Sequence, residues 1–183
     1  GIVLDAAYAD NIYIGYNTIK NTQYDAGNDG DGIDFKKGCG TENITIENNH
    51  LYGNEKRHIV IQDGTKNVII RNNRMYGGDW LAISIVSREY SGLFAAGTKD
   101  VVIEGNVIFN TGWEAIQLYE RGGFYNEDIY IKSNTIAFAN QGNTTNGTCI
   151  GGVVTNGDFE INGNAFYECR VDSSTNRTRA VHT

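Results

Sequence analysis

Polar and apolar positions along this chain repeat in one nine-residue pattern: Asn or Asp, apolar, any, Ile, any, any, Asn, any, apolar. It reads Asn11-Ile-Tyr-Ile-Gly-Tyr-Asn17-Thr-Ile19, then Asn43-Ile-Thr-Ile-Glu-Asn-Asn49-His-Leu51, then Asn67-Val-Ile-Ile-Arg-Asn-Asn73-Arg-Met75. It returns as Asp100-Val-Val-Ile-Glu-Gly-Asn106-Val-Ile108, Asp128-Ile-Tyr-Ile-Lys-Ser-Asn134-Thr-Ile136 and Asp158-Phe-Glu-Ile-Asn-Gly-Asn164-Ala-Phe166. The steps between the closing asparagines are 32, 24, 33, 28 and 30 residues. Self-similarity at such a period marks a stacked repeat, each unit burying its apolar face only against its neighbours.

Asparagine suits the recurring position for two reasons. It tolerates left-handed backbone angles at a sharp bend better than other residues with a side chain, Asp excepted. Its amide also donates and accepts, so asparagines one coil apart can hydrogen-bond along a column. Six in register predict a ladder.

Between the motifs lie second alternating runs: Gly32-Ile-Asp-Phe-Lys36, His58-Ile-Val-Ile-Gln62, Ala82-Ile-Ser-Ile-Val86, Ala115-Ile-Gln-Leu-Tyr119 and Cys149-Ile-Gly-Gly-Val-Val154. Alternation over five residues bounded by turn formers reads as strand. A third short strand follows each asparagine, as in His50-Leu-Tyr-Gly53 and Val107-Ile-Phe109. A leucine-rich repeat shares part of the template, and residues 44–51 satisfy it. Such repeats carry a leucine-anchored helical segment, whereas this chain has 5 Leu against 21 Ile. Three strands per turn predict an all-β fold, a right-handed parallel β-helix of about six coils, as a single domain over 1–183.

Composition agrees with that architecture. Proline is absent, where average usage of about 5% predicts roughly nine, and a coil bonded on both sides has little room for a residue that cannot donate. A net charge of −7, without a basic stripe, argues against nucleic acid as a partner. No segment approaches the length of a membrane span, and no signal peptide is visible. Of Cys39, Cys149 and Cys169, the last two fall near one corner, so a disulfide between them competes with buried thiols. Gly1-Ile-Val-Leu4 and Arg179-Ala-Val-His-Thr183 read as further strands without a capping helix. Exposed strand edges invite pairing, so the expectation is a segment of a longer protein, its ends covered by additional domains or by self-association.

The coil repeat resembles that of the right-handed β-helix proteins of carbohydrate metabolism: pectate-lyase-like enzymes, alginate lyases, mannuronan C5-epimerases and disaggregatase-type surface proteins of methanogenic archaea. The nearest local match is Asp31-Gly-Ile-Asp34-Phe-Lys-Lys37, followed by Glu42-Asn-Ile-Thr-Ile and Lys56-Arg-His-Ile-Val-Ile-Gln62. Epimerases have Asp-Pro-His-Asp where this chain has Asp34-Phe35-Lys36-Lys37, and Gln62 stands where the alginate-lyase pattern has Arg. The resemblance implies a polysaccharide partner, bound in a groove along the second-run strands, and an extracellular or cell-surface setting.

Alternation sends Ile33, Phe35, Ile59, Ile61, Ile83, Ile85, Ile116 and Leu118 inward. Asp34, Lys36, Val60, Gln62, Ser84, Val86, Gln117 and Tyr119 then face outward, in columns about 4.8 Å apart, close to the span of a hexose. Asp34, Lys36, Arg57 and His58 are the candidate catalytic group, His58 or Lys36 as a base for a lyase. Gln62, Asp79, Trp80, Arg88, Trp113, Glu114, Gln117 and Tyr119 are candidate substrate contacts, the tryptophans as a stacking platform for pyranose rings or as packing residues. Asp34 with Asp79 or Glu114 supplies the carboxylate pair a hydrolase needs. The Gly-spaced acidic loop Asp25, Asn28, Asp29 and Asp31 is either a solvated turn or an oxygen-donor site for Ca²⁺, with Asp29 and Asp31 as ligands.

These features support a polysaccharide lyase or glycoside hydrolase. The rival is a non-catalytic cell-surface or glycan-binding module, since one fold serves many roles. Sequons at Asn43, Asn143, Asn146 and Asn176 fit an extracellular setting.

Overall fold

A computed structural model describes residues 1–4, 8–25, 28–36, 41–88, 97–139, 148–152, 154 and 156–169. Lys37, Cys39, the sequons at Asn143, Asn146 and Asn176 and the strand expected at Arg179–Thr183 lie outside them.

The predicted strand triplets form three six-stranded parallel sheets, about five complete turns of a solenoid, with no helix among the described residues. Sheet one takes the second runs: Ile2–Leu4, Ile33–Phe35, Arg57–Gln62, Leu81–Ser87, Ile116–Glu120 and Ile150–Gly152. Sheet two takes the motif strands Asp10–Gly15, Glu42–Glu47, Lys66–Arg71, Lys99–Glu104, Glu127–Lys132 and Asn156–Asn162. Sheet three takes the short strands after each asparagine, Thr18–Lys20, His50–Tyr52, Arg74–Gly78, Val107–Thr111, Thr135–Ala137 and Ala165–Tyr167. Stacking preserves register, so Ile33, Ile59, Ile83, Ile116 and Ile150 form one column and Ile44, Val68, Val101 and Ile129 another. These columns, with Leu51, Met75, Ile108 and Ile136 of sheet three, make one continuous buried core. Each such side chain contributes on the order of 1.5–3 kcal/mol.

The six asparagines are hydrogen-bonded in sequence. Asn17, Asn49, Asn73, Asn106 and Asn134 each donate both Nδ2 and the backbone N–H to Oδ1 of the next asparagine, at 2.8–3.1 Å. The second Nδ2 hydrogen of Asn73 goes to the Ile46 carbonyl, and that of Asn106 to Ile70. Both lone pairs and both amide hydrogens are thus used, which is what a buried amide requires. One expectation is corrected: the left-handed residue at this corner is not the column asparagine but the residue before it. Tyr16, Asn48, Asn72, Gly105, Ser133 and Gly163 have φ between 53° and 64°. The asparagines satisfy the bend's polar groups, and their predecessors make the bend.

The outward face of sheet one also differs from an open channel. Asp34, Val60 and Ser84 are fully buried, and Gln62 and Val86 are less than 5% exposed. Tyr119 reaches solvent. Cys149 and Cys169 pair in a disulfide with Cα atoms 5.4 Å apart, within the usual range.

Candidate functional site

Two cavities adjoin on the outside of the first coils and share Asp29 and Lys36. One, about 540 Å³, is lined by Asp25, Asp29, Asp31, Asp34 and Lys36, with Val3, Thr22 and Gln23 on its walls. The other, about 310 Å³, is lined by Asp29, Lys36, Lys56, Arg57, Gln62, Trp80 and Arg88. Three of the four candidate catalytic residues, Asp34, Lys36 and Arg57, therefore come together. So do both candidate metal ligands and the substrate candidates Gln62, Trp80 and Arg88.

Asp34 is the centre of this arrangement. Its strand, Ile33–Phe35, sits between Ile2–Leu4 and Arg57–Gln62, so its register neighbours are Val3 and Val60. Flanked by apolar side chains and fully buried, its carboxyl is pushed up to about 6. Burial is the main cause and nearby Asp31 adds to it, while the hydrogen bond from Gln62, Arg57 and Lys36 oppose them. Oδ1 accepts from Gln62 Nε2 at 2.7 Å. Oδ2 has no hydrogen-bond partner, the Lys36 ammonium lying 3.8 Å away. Beside it, Asp29 stays in the opposite state. Its hydrogen bond with Lys36, 2.5 Å away, and the charge of Lys56 at 3.6 Å hold it below the usual carboxylate range against partial burial. The same contact holds Lys36 above its ordinary value. Arg57 grips Asp31 bidentately, at 2.8 and 2.7 Å, while its backbone N–H bonds the same carboxylate.

The oxygens of Asp29, Asp31 and Asp34 lie within 4.8 Å of one another. Ca²⁺ takes six to eight oxygens. Here Arg57 holds both oxygens of Asp31, and Lys36 and Lys56 face those of Asp29. A bound Ca²⁺ would have to displace two ammonium groups, so the set does not fit a resident ion.

His58 stands apart from the other three. Alternation predicts an outward ring, but the imidazole, second in its strand, is wholly buried. Nδ1 lies 2.9 Å from Asn54 Nδ2. Gly78 of the next coil makes room for the ring, since a Cβ there would stand 3.2 Å from Nε2. Burial pushes His58 down to about 4, with the Tyr76 carbonyl opposing it. The imidazole is neutral near pH 7, and it lines neither cavity.

Trp80 and Trp113 do fall at one corner of successive coils. Their rings stack parallel, centroids 4.9 Å apart. Lys56, one coil before, lies 5.3 Å from the Trp80 centroid and 4.3 Å from that of Tyr24. Both faces of Trp80 are thereby occupied, because aromatic rings at the coil spacing stack on each other before any sugar does. Asp79 is exposed, Glu114 is buried, and Gln117 receives a 3.3 Å hydrogen bond from Ser84. These three, with Trp113 and Tyr119, line neither cavity.

The alternation argument passed over several participants. Lys56 and Asp63 lie in turns between strands, and Tyr24 opens the short strand Tyr24–Asp25, paired antiparallel with Asn28–Asp29 outside the repeat, so no period predicts their directions. Asp63 is buried and pairs with Arg88, whose Nε is 3.7 Å from Oδ2. Alternation also passed over a column of stacked rings on sheet three, Tyr52, Tyr76 and Phe109, each of which follows the closing apolar residue of a motif.

Over residues 1–178 the chain matches the family described as right-handed β-helix region. It belongs to that family. No curated protein and no solved structure matches it.

Proposed function

We propose that this right-handed β-helix is a polysaccharide-degrading domain, a glycoside hydrolase with Asp34 as proton donor and Asp29 as the second carboxylate. The observation that carries this reading is the opposite tuning of two neighbouring carboxyls. Asp34 is raised to about 6 and Asp29 is lowered. Paired carboxyls driven apart in this way are what acid and base assignments in glycoside hydrolysis need. Asp34 Oδ2 is the oxygen left to carry a proton. Asp29, about two-fifths exposed, is accessible from the cavity.

In the proposed reaction Asp34 protonates the glycosidic oxygen as its bond to the anomeric carbon breaks. Asp29 attacks that carbon to give a glycosyl ester. Water, deprotonated by Asp34, then releases the sugar and restores both carboxyls. One oxygen of Asp34 lies within 4.8 Å of one of Asp29, a spacing that suits the roughly 5–5.5 Å carboxyl separation of retaining enzymes better than the 6.5–9.5 Å of inverting ones. Lyase chemistry is less well served. Lys36 is held protonated by Asp29, and His58 lies in the interior. The Cys149–Cys169 disulfide supports an extracellular or cell-surface location.

A non-catalytic cell-surface module, structural or glycan-binding, is the second reading; the self-satisfied stack of Trp113, Trp80 and Lys56 favours its structural form. The deciding experiment is a screen on uronate-containing and neutral glycans, following new reducing ends together with absorbance from unsaturated products. Reducing ends without unsaturation are expected. Unsaturated product would replace the hydrolase with a lyase, and binding with neither product would leave the module.

A further inference from the structure

Buried Gln62 links half-exposed Arg88 to buried Asp34. Gln62 is 3% exposed. Its amide has two ends, and which end faces Asp34 is set by what it meets on the other side. That neighbour is Arg88, whose Nη2 lies 2.6 Å from Gln62 Oε1. A guanidinium only donates. The amide oxygen must therefore face Arg88, and the amide nitrogen must face Asp34 Oδ1, where the distance is 2.7 Å. Reversing the amide would set two donors against each other at Arg88 and an oxygen against the carboxyl at Asp34.

Resting on the assignment of Asp34 as proton donor, we propose that Arg88 is a positioning residue: by locking the Gln62 amide it reserves Asp34 Oδ1 as an acceptor and confines the acidic proton to Oδ2. Oδ2 is the buried oxygen without a hydrogen-bond partner, and Asp34 lines the larger cavity. The other groups around Asp34 leave this division intact. Val3 and Val60 are apolar, the Asp31 carboxylate facing Asp34 is held by Arg57, and Lys36 is bonded to Asp29 and stands 3.8 Å from Oδ2. Arg88 itself is anchored at Asp63, whose Oδ1 accepts its backbone N–H at 3.2 Å.

The test reads Asp34 directly and needs no substrate. Side-chain carboxyl ¹³C resonances of the full chain are titrated, and the Asp34 signal is identified by its loss in Asp34→Asn. Gln62→Leu removes the donor to Oδ1, and Arg88→Met frees the amide to turn. Each is expected to raise the Asp34 midpoint by about one pH unit, because a hydrogen bond to the charged form is lost. Arg88→Lys, which still offers only donors, is expected to restore the wild-type midpoint. A purely structural Arg88 would lower the unfolding midpoint and leave the titration in place. An unchanged titration in Arg88→Met overturns the relay, and so does an unchanged one in Gln62→Leu. Either result stands whether or not the chain cleaves a glycan, so failure of the relay is distinct from failure of the hydrolase reading.

Discussion

Asp34 and His58 are both buried and titrate in opposite senses. For Asp34 the folded value of about 6 lies above its ordinary 3.8, so its contribution to stability is full below pH 3.8 and is lost as pH rises through 6. For His58 the folded value of about 4 lies below its ordinary 6.5, so its contribution is full above 6.5 and is lost as pH falls through 4. Each swing is worth roughly 3 kcal/mol, and between pH 4 and 6.5 they oppose each other. Removing one therefore uncovers the other. Asp34→Asn is expected to lose stability steeply on acidification across that window, and His58→Gln to gain it. Urea midpoints at several pH values check this, and wild-type slopes in both variants would contradict it. His58 also marks where sequence reasoning ends at this scale. Period-two alternation within a strand does not report how a side chain is covered, and the cue for the buried ring was Gly78 on the neighbouring coil.

Among elements, the asparagine column is the most consequential. Asn73 bonds Asn106 and the Ile46 carbonyl, and its own Oδ1 accepts twice from Asn49. Asn73→Ala strands these buried groups, and the expected loss is about 1–3 kcal/mol, read from the shift in the denaturant midpoint. The disulfide closes a 20-residue separation, so Cys169→Ser is expected to cost about 3 kcal/mol, measured the same way under oxidising conditions. All three sheets and their register were legible in the sequence, because identical strands stacked at one spacing put the same residue type in the same column each time. Asp34 belongs to one such strand and was legible too, with Asp31 just before it. Lys56, Tyr24 and Asp63 were not, since they lie outside the three repeating sheets and their directions follow from side-chain pairing and not from any period. Nor was the mutual covering of Trp80 and Trp113. Their shared corner was visible, but a ring that meets its neighbour one coil away loses the face a sugar would use.

For the whole molecule, the site's charges decide what it can bind. Asp29, Asp31 and Asp34 face Lys36, Lys56 and Arg57, so the carboxylates are already neutralised by the chain itself. Glycan cleavage is accordingly expected to be unaffected by chelator and by added Ca²⁺; a strict Ca²⁺ requirement would mean that the ion displaces the lysines and that the charge assignment is wrong. The solenoid supplies the rigid frame, placing residues from the second, third and fourth strands of sheet one at fixed steps along a possible sugar chain. The measurement that tests the central claim most directly is the release of reducing ends from a cleaved glycan by wild type and Asp34→Asn, compared across pH after both are shown to be folded. Wild-type rate is expected to fall as pH rises through about 6, and the variant to lose on the order of 100-fold or more. Turnover by Asp34→Asn equal to that of the wild type would contradict the account.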